Sequence, residues 1–333
     1  MNPRVKEKVK REIDKMLDVG IIFSFDEANC ISPIVIQNEK DVTKIRVCVE
    51  YRSMNNACVH DLFPTPLSDE VLDNVVGNEA YSFIDGFSGY HQVIAKEDKR
   101  KTTFTMEWGS YTYNVMPFGL KNAPVVFSRI VIVAFRDYIH KFLEVYMDDW
   151  TVYNLLKKHT SLLRVMFEIC RQLQISLNLK KCIFTVPFGT LIGHIVFKDG
   201  VCVDPAKITS IIHMEPPLNI KQLRATLGYT GYYKRFIRNY ATITAPMERL
   251  LKKTEEFIWT TNCQAVLDKQ KERLVSAPIL VYLDWNKMFH VHIDSSGIAL
   301  EAVLAQPREK MDHSVYYASR KLSMAENNYT TIE

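Results

Sequence analysis

Hydrophobic and polar positions along this chain follow two periods, and the switches between them mark out its elements. Val5, Val9, Ile13, Met16 and Leu17 recur at helical spacing on one face, with Asn2 placed to cap and Pro3 at the first helical position. A surface helix is therefore predicted up to Gly20. Ile45, Val47, Val49 and Tyr51 alternate with Arg46, Cys48, Glu50 and Arg52, the period of a half-buried strand with two arginines opposite its apolar face. A second strand, 81–84, runs into Asp85 and then Gly86-Phe87-Ser88-Gly89, so a carboxylate stands at a strand's end. Apolar runs on both sides of Asp148-Asp149 in FLEVYMDDWTVY predict a hairpin with the two aspartates at its tip. Leu162, Leu163, Met166, Phe167 and Cys170 then trace a helical face, and a further hairpin turns at Asp199-Gly200.

Asp204-Pro205 opens a helical region extending to about Lys253, interrupted by Pro216-Pro217. Between Pro216 and Met247 no acidic residue occurs. Lys221, Arg224, Lys234, Arg235 and Arg238 are interleaved there with Tyr229, Tyr232, Tyr233, Phe236 and Tyr240, a mixture suited to phosphates and bases. The same stretch also reads as an amphipathic helix pair with a solvated basic face. A last strand, 289–293, ends at Asp294. No internal repeat or low-complexity tract is present.

Composition adds limits more than direction. With 333 residues, 47% of them apolar, the chain can build two or three cored domains. A net charge of only +4 means that attraction to nucleic acid must come from local basic patches. Seven cysteines without a C-x-x-C pair argue against a disulfide framework or a zinc site and fit a reducing compartment. The charged amino terminus is unlike a secretory leader, and no apolar run approaches the roughly 18 residues of a membrane span. The expectation is an intracellular protein with no membrane partner, in a cytoplasmic particle or the nucleus.

Asp148-Asp149 is the sharpest local feature, because adjacent like charges are poor turn chemistry and local misfit often marks function. Together with Asp85 these carboxylates would supply the hard oxygen ligands that Mg²⁺ requires. Two such ions can activate an attacking hydroxyl and stabilise a leaving oxygen in phosphoryl transfer. Spacing alone does not bring the three together, and solvated acidic turns are common.

FIDGFSGYHQ (83–92), VMPFGLKNAP (115–124) and YMDD (146–149) occur in order, and they resemble motifs A, B and C of gypsy-like long-terminal-repeat retrotransposon reverse transcriptases. The similarity continues through RVCVEYR (46–52), LNLKKCIF (177–184), LIGH (191–194) and YYKRFIRNY (232–240). HVHIDSS (290–296) and YASRKLSMAENNY (317–329) resemble the opening of the ribonuclease H domain that follows in such Pol polyproteins.

The resemblance implies an α+β right-hand polymerase: fingers and palm over 1–203, thumb over 204–254, then a connecting helix and an incomplete ribonuclease H-like α/β domain over 255–333. The implied activity is RNA-directed DNA polymerisation with two Mg²⁺ ions, Mn²⁺ being an alternative, on an RNA or DNA template with primer and deoxynucleoside triphosphates. Asp85, Asp148 and Asp149 map to the metal-binding catalytic carboxylates, and Lys181 to a general acid toward pyrophosphate. Arg46, with Lys40 as a second candidate, maps to the triphosphate contact. Phe118 and Gly119 map to the nucleotide pocket, and Tyr90 to the position that excludes a ribose 2′-hydroxyl. Ile192, Gly193 and His194 match the primer grip, with His194 expected to pack or hydrogen-bond rather than ligate. Lys221, Arg224, Lys234, Arg235 and Arg238 are the candidate nucleic-acid contacts. Asp294 matches the first ribonuclease H carboxylate; the next is expected just past Glu333, so these residues are expected not to cleave a hybrid.

Three positions and one link depart from the family's habit. Glu50 replaces an aspartate, Glu301 a glycine and Gln270 a leucine. The link from Asn154 into Leu155-Leu156-Lys157-Lys158 is short, a contraction expected to strain the catalytic hairpin. These departures keep a rival reading open, a catalytically silent transposon remnant that at most binds nucleic acid.

Overall fold

The structure, a computed structural model, describes residues 3–26, 30–38, 45–64, 66–86, 94, 96–308 and 311–326. In chain order its elements begin with α1 (Pro3–Asp18), β1 (Ile22–Ser24), β2 (Ile34–Asn38), β3 (Ile45–Val49), α2 (Arg52–Ala57), α3 (Ser68–Val75) and β4 (Ala80–Asp85). There follow α4 (Lys96–Lys99), β5 (Phe104–Met106), β6 (Gly109–Tyr113), α5 (Ala123–Ala134), β7 (Leu143–Tyr146), β8 (Asp149–Asn154) and α6 (Leu156–Gln172). Next are β9 (Ile183–Val186), β10 (Phe188–Leu191), β11 (His194–Phe197), β12 (Gly200–Val203), α7 (Pro205–Ile212) and α8 (Ile220–Tyr232). The last are α9 (Tyr240–Arg249), α10 (Thr261–Val275), β13 (His290–Ser295), β14 (Ala299–Arg308) and β15 (Met311–Lys321). Two compact units divide the chain, one of Met1–Leu67, Ser82–Val152 and Thr160–Phe184, the other of Ser68–Tyr81, Tyr153–His159 and Thr185–Glu333.

In the first unit, α1 buries Val9 and Ile13 fully, as its spacing predicts, in a cluster with Ile22, Phe104, Tyr111 and Tyr113. Each such side chain stabilises by roughly 1.5–3 kcal/mol. Asn2, the predicted cap, lies outside the described residues. β3 pairs antiparallel with β2, but the strand ends at Val49. Tyr51 is buried beyond it and Arg52 begins α2, so the two arginines do not share one strand face.

The sheet that matters most has strand order β7-β8-β4-β9. Under it, Phe127, Val131 and Phe135 from α5 and its C-terminal end, with Met166 and Cys170 of α6, pack on Ile84, Leu143, Val145, Trp150 and Val152. Phe167, expected on the same helical face, is instead 38% exposed.

In the second unit, β10-β11-β12 form an antiparallel meander whose last turn is Lys198-Asp199, with Gly200 already in the strand. Asp204 caps α7 by accepting from Ala206 N at 2.9 Å, with Pro205 at the first turn. Asn219 caps α8 in the same way through Gln222 N. These caps settle two orphan donors where the prolines interrupt the helical run. The short link predicted to strain the hairpin does not do so by any left-handed residue. Asn154 accepts from Leu155 N at 2.9 Å and α6 starts at once, while no residue from 148 to 173 has positive φ. β13-β14-β15 form an antiparallel sheet. Gln270 of α10 is fully buried beside the Tyr240 hydroxyl, with neither amide atom in a hydrogen bond of ordinary geometry. All seven cysteines are free thiols. No helix among the described residues is long and apolar enough to cross a membrane.

Candidate active site

Strands β8 and β4 are neighbours, so Asp149, first in β8, and Asp85, last in β4, stand on adjacent strands about 4.8 Å apart. Ile84 and Trp150 point into the core, and alternation therefore turns Asp85 and Asp149 to the opposite face. Gly86 N donates to Asp148 O at 3.0 Å and ties the end of β4 to the hairpin turn. A Cβ at Gly86 would sit in ordinary van der Waals contact with Phe127 and Trp150, 3.4 and 3.6 Å away. Burial first, then the negative charges of Asp85 and Asp148, push the Asp149 carboxyl above its ordinary range, and Lys181 opposes them. The charges of Asp85 and Asp148 thus both act on Asp149.

The register pairs Tyr146 with Asp149, which leaves Met147-Asp148 as the two-residue turn. The predicted tip, Asp148-Asp149, is corrected by one position. Met147 carries the strain with φ 54°, a left-handed conformation that costs a non-glycine residue about 1 kcal/mol. Nothing in the sequence singled out Met147; the absence of glycine or asparagine from a two-residue turn was the available signal.

Lys181 Nζ donates to Asp85 Oδ2 at 3.1 Å. Asp85 is thus paired with an ammonium while Asp149 feels the repulsion of its neighbours. The donor set, three carboxylates, fits Mg²⁺. Among the described residues, however, no group of three His, Cys, Asp or Glu side chains is already arranged to hold a metal ion.

Arg46 is exposed on β3 opposite Gln37. At the end of that strand, Tyr51 is buried with its hydroxyl donating to Thr102 O, and its ring lies 3.6 Å from where a Gly119 side chain would begin. Gly119 has φ 97°, and its carbonyl accepts from Asn55 Nδ2 at 2.8 Å. The structure therefore brings Gly119 beside the strand of Arg46, with Phe118 next to it 57% exposed. Lys40 and Tyr90 lie outside the described residues. Glu50 accepts from Arg52, whose hydrogen bond holds its carboxyl below the usual range.

The second unit separates its candidates. Lys221, Arg224, Lys234 and Arg238 are exposed. Arg235 is not available to phosphate: it is 3% exposed, its guanidinium donates to Asp73 at 2.8 Å and Asp69 at 3.3 Å, and it stacks on Tyr316. Its place in the nucleic-acid set is withdrawn. His194 packs and hydrogen-bonds within the protein, as its sequence position leads one to expect. It is buried among Tyr232, Tyr233 and Phe236, with Nδ1 donating to Ile192 O at 2.8 Å and Nε2 unpartnered, and burial lowers its pKa to about 4. Gly193 has φ 70°, and the Tyr233 hydroxyl donates to its carbonyl. Gly193, Tyr229 and Tyr232 line a groove of about 860 Å³ with Lys207. Asp294 lies on exposed β13 opposite Glu301, whose carboxylate accepts from Thr242 and is otherwise buried without a partner.

Residues 36–230 match the family described as reverse transcriptase (RNA-dependent DNA polymerase). That is more than half of the chain. The chain belongs to the reverse transcriptase family. Residues 259–333 of this reverse transcriptase chain match the RNase H-like domain found in reverse transcriptase. It is 34% identical to the retrovirus-related Pol polyprotein of transposon 297 from Drosophila melanogaster, over 98% of this chain and 31% of that protein. The Pol polyprotein of transposon opus, also from Drosophila melanogaster, is 33% identical over 99% of this chain and 34% of its own length. A Tf2 transposon polyprotein of Schizosaccharomyces pombe is 28% identical over 98% of this chain and 25% of its own length. The chain thus spans about a third or less of these relatives' length. Its fold is that of a right-hand polymerase. The foamy viral protease-reverse transcriptase in complex with double-stranded DNA superposes with TM-score 0.88 at 22% identity, over 99% of this chain and 58% of that one. The foamy viral enzyme in complex with an RNA/DNA hybrid gives 0.81, at 22% identity, over 100% and 45%.

Proposed function

We propose that this chain is the RNA-directed DNA polymerase portion of a retrotransposon Pol polyprotein, transferring nucleotides onto a primer 3′-hydroxyl. The observation that carries the reading is that Asp85 and Asp149 stand on adjacent strands, that the charges of Asp85 and Asp148 both act on the Asp149 carboxyl, and that Lys181 is bonded to Asp85. Asp85 and Asp148 are the residues to hold the divalent cations, with Asp149 supporting them. Mg²⁺ or Mn²⁺ bound there would acidify the attacking hydroxyl and neutralise charge on the phosphates.

The remaining roles belong to the protein's own side chains. Arg46 offers a planar fork to triphosphate oxygens, and Lys40 a second positive charge. Phe118 and Gly119 shape the nucleotide pocket, and Tyr90 fills the space a ribose 2′-hydroxyl would need. Lys181, released from Asp85, donates a proton to the departing pyrophosphate. Residues 1–203 serve as fingers and palm, 204–254 as thumb and 255–333 as a connecting helix and ribonuclease H-like segment. The partner is a template with its primer, a reading that the foamy viral complexes with double-stranded DNA and with an RNA/DNA hybrid support as nucleic-acid complexes of the same fold. Lys221, Arg224, Lys234 and Arg238 contact its phosphates. An intracellular setting suits the seven free thiols.

The test is incorporation of dTTP by purified protein on poly(rA)/oligo(dT) with Mg²⁺. Primer extension that depends on the RNA template supports the reading, and none under Mg²⁺ or Mn²⁺ removes it.

A further inference from the structure

One short turn, residues 178–182, grips Asp85 at three points. Asn178 N donates to the Asp85 carbonyl at 2.9 Å, Lys181 Nζ donates to its carboxylate at 3.1 Å, and the Asp85 N–H donates to Cys182 Sγ at 3.5 Å. The turn is closed on itself, with Lys181 N and Cys182 N both donating to Asn178 O, at 2.9 and 3.2 Å. The Cys182 thiol joins that closure by donating to the same carbonyl at 3.2 Å. It therefore gives one hydrogen bond to the turn and receives one from the aspartate.

A backbone N–H at a strand's end must find an acceptor outside the ladder or remain unpaired, and unpaired buried groups are costly. Asp85 is the last residue of β4, and its N–H finds sulfur. A thiol suits this place because Cys182 also packs against the apolar cluster around Trp150 and Ile84, where a soft, weakly hydrated group loses little on burial. Gly86, the next residue, is tied to Asp148, so any shift of the Asp85 backbone is passed to the hairpin turn.

We propose that Cys182 is a positioning residue for Asp85, its thiol fixing the backbone from which the carboxylate is presented. The kinetic part of this inference rests on Asp85 being a catalytic carboxylate, as proposed above; the backbone contact does not.

The experiment compares Cys182→Ala and Cys182→Ser with the wild-type chain by single-turnover incorporation and by amide hydrogen exchange at Asp85. Serine keeps both a donor and an acceptor; alanine keeps neither. Cys182→Ala is expected to lower the maximal single-turnover rate about tenfold with the half-saturating dTTP concentration within about twofold, because small misplacements of a reacting group act on rate more than on binding. Its Asp85 amide is expected to exchange about tenfold faster, as a local opening would make it. Cys182→Ser should recover both to within about threefold of wild type. Alanine with unchanged exchange overturns the proposal. So does serine as impaired as alanine with an equal fall in melting temperature, the pattern of a mere packing residue. If wild type incorporates nothing yet alanine speeds exchange at Asp85 and serine restores it, the polymerase reading fails and the positioning role stands.

Discussion

Lys181 Nζ lies 3.1 Å from Asp85 Oδ2, so the candidate general acid is paired with the carboxylate whose charge it offsets. The lysine side chain is 67% exposed, and such a pair contributes no more than about 1 kcal/mol to stability. Lys181→Ala is therefore expected to leave the melting temperature nearly unchanged. The rate of single-nucleotide incorporation should fall by about 10²-fold, the scale of a lost general acid. A melting temperature that drops along with the rate would make Lys181 a structural residue instead.

Arg235 divides the basic stretch into two kinds of residue. Arg235→Met should destabilise the protein by about 2–3 kcal/mol, since it leaves Asp73 half-buried without its cation, discounted for the partial exposure of both aspartates. The salt dependence of template-primer binding should not change. Replacing Lys221, Arg224, Lys234 and Arg238 together with alanine should do the opposite: little loss of stability, and a shallower slope of log affinity against log salt, because phosphate contacts release counterions. Binding titrations at several salt concentrations decide between these outcomes. An unchanged slope in the fourfold variant would make those residues a solvated helix face.

His194 predicts a pH dependence of stability. Its folded pKa, lowered to about 4, lies below the unfolded value near 6.5, so the unfolded state binds the extra proton first as pH falls. The stability linked to neutral His194 is fully present above pH 6.5 and is lost between there and pH 4, at about 1.4 kcal/mol per pH unit. His194→Phe removes that titration. Urea midpoints at pH 7 and pH 4.5 should fall less steeply with acid for the variant than for wild type; parallel curves would contradict the assignment.

Gln270 is fully buried with neither amide atom in a hydrogen bond of ordinary geometry. Gln270→Leu should raise stability by about 1–2 kcal/mol, since the cost of the buried amide disappears at similar volume. Denaturant unfolding measures it, and a less stable variant would mean that the amide has a partner, such as water.

What could be read from the sequence was local. The strand run before Asp85, the apolar flanks of Asp148-Asp149, the helix start at Asp204-Pro205 and its interruption at Pro216-Pro217 all predict the elements that form, because period and capping are properties of neighbouring residues. The pairing of β8 with β4, which brings Asp85 beside Asp149, joins residues 64 positions apart, and no local pattern carries it. Arg235 looked like a phosphate contact for the same reason: its neighbours are basic and aromatic, while Asp69 and Asp73 lie more than 160 residues away. Cys182 stood inside the LNLKKC motif from the start. Lys180 and Lys181 carry the charge of that motif, and an uncharged thiol beside them gives no local sign of a role.

Asp148 is expected to act in the chemistry of a protein that binds template-primer without it. The most direct measurement pairs wild type with Asp148→Asn, reading template-primer affinity by fluorescence anisotropy and single-turnover dTTP incorporation with Mg²⁺ in the same preparations. The expected result is affinity within about twofold and incorporation reduced by at least about 10³-fold, since the amide keeps the shape but loses the charge that holds the cation. Equal incorporation by the two proteins would contradict the account.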